Sequence, residues 1–71
     1  MDRIQVLDVV ALTEDLPERG LVRGQVGTVV EELPPDGYEV EFCDDDGRAY
    51  ASAGVRRDKL IVLRYQPAKA A

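Results

Sequence analysis

The segment 38–43 alternates between apolar and mostly acidic side chains, and it constrains the fold more than any other stretch of the chain. One parity holds Tyr38, Val40 and Phe42, and the other holds Glu39, Glu41 and Cys43. Successive side chains of a β-strand point to opposite faces of the sheet, so this spacing predicts a strand with one core face and one solvent face. No window repeats apolar residues at helical spacing over three turns. The chain is therefore predicted to be all-β.

Turn signals divide the rest of the chain into short strands. The predicted strands are residues 7–13, 26–33, 38–43, 48–53 and 60–65, with a long loop at 14–25 and one helical turn at 56–59. The run Pro34-Pro35-Asp36-Gly37 predicts a hairpin turn, in which proline presets one backbone dihedral and Gly37 supplies the permissive one.

Asp46-Gly47 is typical of a tight type I′ hairpin, and the length of that loop decides which side chains of the next strand face the core. A two-residue loop pairs Phe42 with Ala51 and turns small residues toward the core. These are Ala49, Ala51 and Ala53. A three-residue loop would turn Tyr50 inward instead, because a one-residue slip reverses every side chain. We favour the two-residue loop because small residues then face large ones.

Five short strands within 71 residues cannot bury both faces of an open sheet. The economical arrangement is a partly open, five-stranded barrel closed by its terminal strands. We predict one such domain over residues 4–65 and a disordered tail over residues 66–71.

A resemblance rests on Gly-Gln-Val-Gly-Thr-Val-Val at 24–30, a turn, and Tyr-Glu-Val-Glu-Phe at 38–42, extended by residues 7–13 and the loop 15–21. These segments resemble a family of small stand-alone bacterial proteins, domain of unknown function 4926. More distantly they resemble the SH3-like barrel of the nitrile hydratase β chain and the KOW modules. The resemblance covers most of residues 6–63. It implies an SH3-like barrel in which Gly24 serves a tight turn and Gly27 a bulge, but it carries over no catalytic or binding residue.

The residue types that catalysis requires are nearly absent. The chain has no histidine, one cysteine and one serine, Ser52. Cys43 lies in a predicted strand and is interpreted as inert. The run Asp44-Asp45-Asp46-Gly47 lacks the alternating oxygen ligands and the terminal glutamate of an EF-hand loop. We therefore predict that the protein is not an enzyme and holds neither cofactor nor metal.

Charge is segregated along the chain, which has a net charge of −5. Residues 31–46 hold eight acids and no base: Glu31, Glu32, Asp36, Glu39, Glu41, Asp44, Asp45 and Asp46. A basic set follows: Arg48, Arg56, Arg57, Lys59 and Arg64. This set could contact phosphates as KOW-like modules do, which is our alternative function. The charge balance instead favours neutralisation of the acidic segment by these bases, and it argues against nucleic acid as the partner.

The sequence therefore predicts a non-catalytic protein-interaction module. The resemblance implies an antitoxin-like or accessory chain that accompanies a larger protein encoded nearby. The residues predicted to bind the partner are Glu39, Glu41, Asp44, Asp45 and Asp46. A further alternative is a structural subunit of an enzyme. Absence of a second cysteine fits a reducing compartment, and no apolar run could span a bilayer, so we expect a cytoplasmic protein without a membrane segment.

The terminal strands, over residues 9–12 and 60–63, are apolar on both faces, although one face of a barrel strand should be exposed to solvent. Either the loop 16–22 or a partner could cover the outer face. If Ile61 points inward, Leu60 and Val62 point outward, and we predict a homodimer whose interface includes one of these two residues.

Overall fold

Five antiparallel strands form one sheet in the computed structural model, which describes residues 3–64. The strands are β1 (Val9–Leu12), β2 (Val26–Leu33), β3 (Gly37–Cys43), β4 (Ala49–Arg56) and β5 (Leu60–Val62). Two turns of 3-10 helix, Pro17–Arg19 and Arg57–Lys59, lie in the connections. The all-β prediction is confirmed, with one more helical turn than expected. The predicted tail 66–71 and Tyr65 lie outside the described residues.

The strands follow the order β4-β3-β2-β1-β5 across the sheet, so β4 and β5 are its edges. The first strand pairs with β2 on one side and with β5 on the other, which brings the two ends of the chain together as the barrel prediction required. All five strands contribute to one apolar core, and its members include Val10, Val29, Val40, Val55 and Leu60. The small, partly open barrel is therefore a sheet curved around a single core.

The first strand begins two residues later than predicted. Leu7 has a φ of 79° and its side chain is 75% exposed. A non-glycine residue in this left-handed region does not continue a strand. The turn is closed by the Asp8 N–H, which donates to the Gln5 carbonyl at 3.0 Å, and by the Gln5 N–H, which donates to Oδ2 of Asp8 at 2.9 Å.

The connection between β1 and β2 contributes to the core instead of covering the outer face. Leu16 and Leu21 exchange backbone hydrogen bonds of 2.8 and 3.2 Å, and both side chains are buried. Pro17 starts the intervening 3-10 turn, and the left-handed Gly20 ends it. Ile61 on the outer face stays 54% exposed, so the proposed cover by this loop is wrong.

The β2–β3 hairpin forms where the proline turn predicted it, but the role assigned to Gly37 is wrong. Gly37 is the first residue of β3, pairs with Leu33 and has no positive φ. The pairing shifts register between Val29 and Glu31, so Val30 is a bulged residue. The bulge in this hairpin therefore lies at Val30 and not at Gly27.

Gly27 is required by close packing. A Cβ at this position would lie 2.6 Å from Cγ1 of Val40, 2.7 Å from the carbonyl oxygen of Glu41 and 3.0 Å from Cδ1 of Phe42. Contacts this short are sterically forbidden unless the neighbours move. Glycine at this position therefore lets β2 and β3 approach over Phe42, the largest fully buried side chain of residues 3–64.

The β3–β4 register was predicted correctly, although the predicted loop was wrong. Phe42 pairs with Ala51, as expected. The loop nevertheless has three residues, because the Gly47 N–H donates to the Asp44 carbonyl at 3.0 Å and the Asp44 N–H donates to the Arg48 carbonyl at 2.9 Å. Gly47 has a φ of 80°, as the residue after a type I turn requires.

A bulge in β4 restores the register that the longer loop would have shifted. Cys43 pairs with Ala49, and Tyr50 is the extra residue between the two pairs. Ala53 is buried and Ala51 is half-buried, but Ala49 is exposed, so the inward prediction holds for two of the three alanines. Tyr50 is 48% exposed, and its hydroxyl accepts a 2.8 Å hydrogen bond from Nε2 of Gln25.

The last strand has the opposite parity to the prediction. Leu60 pairs with Leu12 and is buried, and Val62 pairs with Val10 and packs against the core. Ile61 therefore faces outward. The dimer interface predicted at Leu60 or Val62 required these side chains to point outward, and they face the core instead. All four residues of 60–63 are apolar, so sequence alternation could not select the inner parity.

Candidate interaction surface

Three glutamates share the outer face of the β2–β3 pair. Glu31 lies directly opposite Glu39, and Glu41 follows two residues along β3 on the same side. Their orientation follows from the core, because the alternate residues of β3 are buried. We call Glu31, Glu39 and Glu41 the acidic face.

Small residues of β4 border the acidic face. Ser52 pairs with Glu41, and Gly54 pairs with Glu39. The Ser52 hydroxyl donates a 2.5 Å hydrogen bond to Oε2 of Glu39. Both β4 residues are exposed, so the side of the acidic face next to β4 is open to a partner.

The three aspartates of the β3–β4 hairpin have two different roles. Oδ1 of Asp44 accepts hydrogen bonds from the N–H groups of Asp46 at 2.9 Å and Arg48 at 3.0 Å, so this side chain stabilises the loop. Asp45 and Asp46 are exposed at the tip. Of the predicted partner-binding residues, Glu39 and Glu41 therefore share a face, whereas the aspartates lie in the adjoining loop.

The ion pairs of residues 48–59 lie outside the acidic segment. Arg56 pairs with Asp58 at 3.2 Å, and Lys59 pairs with Glu14 at 3.6 Å. Within residues 3–64, the one ion pair to an acid of 31–46 joins Arg3 to Glu32 at 3.9 Å. The bases of residues 48–59 therefore do not neutralise the acidic segment by ion pairs, and the acidic face has no ion-pair partner in the described part of the chain.

These bases are also divided between the two ends of β4. Arg48 lies in the hairpin loop, whereas Arg56 ends the strand and Arg57 follows it, roughly 25 Å away at the usual rise per residue. Arg57 shares a cleft of ≈ 350 Å³ with Arg64, Ile4 and the residues of β5. The predicted basic patch is therefore not one continuous surface.

A second outer surface is apolar and crosses β5, β1 and β2. Ala11 pairs with Ile61 on one side and with Val26 on the other. Ile61 and Val26 are 54% and 40% exposed, while the small Ala11 between them is buried. We call these three residues the apolar stripe. The outer faces of the two terminal strands therefore adjoin, through Ile61 in place of Leu60 and Val62.

Metal-ligating side chains do not cluster in the described residues. Across residues 3–64, no group of three or more histidine, cysteine, aspartate or glutamate side chains is arranged to hold a metal ion. Cys43 is a half-buried free thiol at the end of β3. None of the helices in this part of the chain is long and apolar enough to cross a membrane.

Sequence reasoning missed two parts of this surface. The opposition of Glu31 and Glu39 depends on the bulge at Val30, which no turn signal marks. The border formed by Ser52 and Gly54 is visible in the sequence, because residues 49–54 are small at nearly every position. Small residues were interpreted only as candidates for the core, so this border was missed.

Comparison with known proteins yields one match. Residues 6–62 match the family described as Domain of unknown function (DUF4926). No curated protein and no solved structure matches the chain. The matched range contains all five strands, and hence both the acidic face and the apolar stripe.

Proposed function

We propose that this chain, which belongs to the family described as Domain of unknown function (DUF4926), is a non-catalytic protein-interaction module. Its acidic face binds a basic surface of a partner protein. One observation carries the proposal: Glu31 and Glu39 are direct cross-strand neighbours, with no cation paired to either within residues 3–64. Like charges directly opposite one another destabilise a sheet. A basic partner would supply the missing countercharge.

The shape of the surface supports a protein partner over a small molecule. The acidic face lies on the outer surface of two neighbouring strands, whereas small-molecule sites are concave and mostly apolar. The partner is a larger protein, encoded nearby, that this chain accompanies as an accessory subunit in the cytoplasm. If that protein is an enzyme, this chain supplies binding surface and no reacting group, since it has no histidine and its one serine is bonded to Glu39.

The proposal is tested with the purified product of the neighbouring gene, by measuring association rates at low salt for two single-charge variants. Glu41→Gln removes a charge from the acidic face, and Asp15→Asn removes one from an exposed residue between β1 and the first 3-10 turn, while keeping the Oδ1 acceptor for the Arg23 N–H. Exposed interface charges mainly steer encounter. We expect Glu41→Gln to slow association about twofold or more and Asp15→Asn to leave it unchanged. Equal effects would assign the change to net charge alone.

The cleft containing Arg57 and Arg64 favours one second candidate, a KOW-like nucleic-acid contact. Phosphate binding weakens steeply with salt because neutralised phosphates release counterions. A binding assay with RNA and DNA at several salt concentrations separates the two functions. The interaction-module proposal expects no measurable binding at physiological salt. Salt-dependent binding that Arg57→Ala weakens would favour the nucleic-acid function.

Self-association through the apolar stripe is a further part of the proposal. Burying a valine or isoleucine side chain contributes roughly 1.5 to 3 kcal/mol. Two copies would bury Ile61 and Val26 from each, against an association cost of about 4 to 15 kcal/mol. The resulting homodimer is weak.

A further inference from the structure

The edge strand β4 is long and almost uncharged. It pairs with β3 on one side, and no strand pairs with its other side within residues 3–64. Of its eight residues, Arg56 at the end is the charged one. Natural sheets usually protect such edges with charges, prolines or bulges. The bulge at Tyr50 protects the start of the strand and leaves residues 51–55 regular.

The hydrogen-bond pattern shows which backbone groups of β4 face outward. The Arg57 N–H donates to the Asp36 carbonyl at 2.8 Å, just beyond the Gly37–Arg56 pair. Hydrogen-bonded and non-hydrogen-bonded residue pairs alternate along an antiparallel ladder. Since Asp36 and Arg57 form a hydrogen-bonded pair, Val55 and Ala53, two and four residues before Arg57, also direct their N–H and C=O groups to β3. Ser52 and Gly54 then direct their N–H and C=O groups to the open edge. Neither takes part in a backbone hydrogen bond to a loop in the described part of the chain. The 54–56 end of this edge borders a cleft of ≈ 270 Å³ lined by Leu16, Glu18, Arg19 and Lys59, and an added strand would enter that cleft.

The same two residues also leave the acidic face within reach of that edge. A strand added beside β4 would lie about 4.8 Å from it and about 10 Å from β3. Ser52 and Gly54 have little or no side chain, and they lie opposite Glu41 and Glu39. Above Gly54, Cδ1 of Leu33 lies 3.2 Å from the position that a Cβ would take, so the path over β4 runs past Ser52. Lysine and arginine have long, flexible stems. One of these side chains on the added strand could therefore extend over Ser52 to Glu41 and to the Glu39 carboxylate that Ser52 binds.

We propose that the β4 edge receives an extended segment of the partner protein, with lysine or arginine at alternate positions, as a sixth strand. This inference rests on the proposed function and specifies the partner's chemistry. Backbone bonds to Ser52 and Gly54 supply affinity, and alternate basic side chains on the acidic face supply specificity. A second copy is disfavoured as occupant, because two-fold pairing of β4 would place two acidic faces side by side in chains of net charge −5.

The experiment titrates the isotope-labelled full-length chain with synthetic eight-residue peptides, followed by amide NMR. One peptide alternates lysine and threonine, one has the same composition with its lysines in a single block, and one alternates glutamate and threonine. We expect the alternating lysine peptide to shift the amides of Ser52 and Gly54 and to bind at least fivefold more tightly than the block peptide. The glutamate peptide should not bind.

Variants on both molecules locate the contact. Ser52→Pro removes one outward donor and should weaken binding about tenfold, while Thr13→Ala, at an exposed residue that follows β1, should not. If Ser52→Pro fails to fold, N-methylation of the peptide provides the same test: methyl groups at one parity should abolish binding, and those at the other should be tolerated. Equal effects at both parities would overturn the inference.

The failure of this inference is distinguishable from failure of the proposed function. If both lysine peptides shift the amides of the acidic face equally and leave β4 unchanged, the edge inference fails and the acidic face remains a binding surface. If neither peptide perturbs either region, both fail. If the amides of Ser52 and Gly54 change with protein concentration alone, a second copy occupies the edge and the inference is wrong.

Discussion

The two halves of the sheet present different chemistry to solvent although they enclose one core. On the β2–β3 side, the outer face holds Glu31, Glu39 and Glu41 without ion-pair partners in residues 3–64. On the β5-β1-β2 side, the outer face holds the apolar stripe, in which Ile61 is 54% exposed. Both halves have the same inner face of buried aliphatic and aromatic side chains.

This difference separates what stabilises the fold from what is available for contact. Burial of apolar area on the inner face is the main stabilising contribution in a domain of this size. The outer-face residues add little to that burial, so their chemistry can differ between the halves without changing the fold. An unpaired acidic surface and an exposed apolar one are both features that partners recognise.

The largest expected effect is on the core that both halves share. Phe42→Ala should reduce the free energy of unfolding by about 3 to 5 kcal/mol, because it removes a fully buried aromatic side chain and leaves a cavity. Urea unfolding followed by circular dichroism measures the change. Val30→Ala, at the exposed bulge, is the matched control and should change stability by less than about 0.5 kcal/mol. Similar losses in the two variants would show that inner and outer faces are not distinct.

A substitution at the junction between the two halves should lower the free energy of unfolding nearly as much. Gly27 pairs with Val10 of β1 and Phe42 of β3, and a Cβ there would overlap its neighbours. Gly27→Ala should lower the unfolding free energy by about 1 to 3 kcal/mol. Thr28→Ala, one residue along and on the outer face, should have a much smaller effect in the same urea titration. A Gly27→Ala chain of native stability would contradict the close packing.

The apolar half is tested by self-association. Ile61→Glu should weaken the homodimer at least tenfold, about 1.4 kcal/mol, while leaving thermal unfolding of the monomer nearly unchanged. Light scattering across a range of concentrations measures the mass. Val22→Glu, at another exposed valine outside the stripe, is the control. A native chain that stays monomeric at millimolar concentration would remove self-association from the account.

The smallest expected effect has the opposite sign and concerns the acidic half. Glu31→Gln should raise the free energy of unfolding by about 0.2 to 1 kcal/mol at low salt, because it relieves repulsion from Glu39. High salt screens the repulsion and should reduce the gain. Glu32→Gln serves as the control, since Glu32 lies opposite Tyr38 and near Arg3. Loss of stability in Glu31→Gln would mean that the glutamate pair is not repulsive.

The two hairpins and the meeting of the terminal strands could be predicted from the sequence because the local signals agreed. Alternation fixed the inner face of β3, and proline and glycine marked both hairpins. The bulges at Val30 and Tyr50 could not be predicted, because a bulge is defined by how two strands pair and not by residue type. The parity of β5 failed for a different reason, since apolar residues at every position are compatible with either face.

The candidate site, like the fold, could be predicted where the sequence alternates and not where it depends on loop length or strand order. Glu39 and Glu41 follow directly from alternation, and they do share the acidic face. Asp44 could not be separated from its neighbours, because its bonds to the loop N–H groups depend on a loop length that the sequence left open. Ser52 matters only because β4 is an edge, which is a property of the whole sheet.

The central claim, that the acidic half is the partner surface, is tested most directly by mapping the partner on the labelled chain. Amide NMR spectra are recorded with and without the unlabelled product of the neighbouring gene. We expect the largest shifts to fall on the outer face of β2, β3 and β4, around Glu39, and to diminish as salt is raised. Largest shifts at Ile61 or around Arg57, with the amides near Glu39 unchanged, would contradict it.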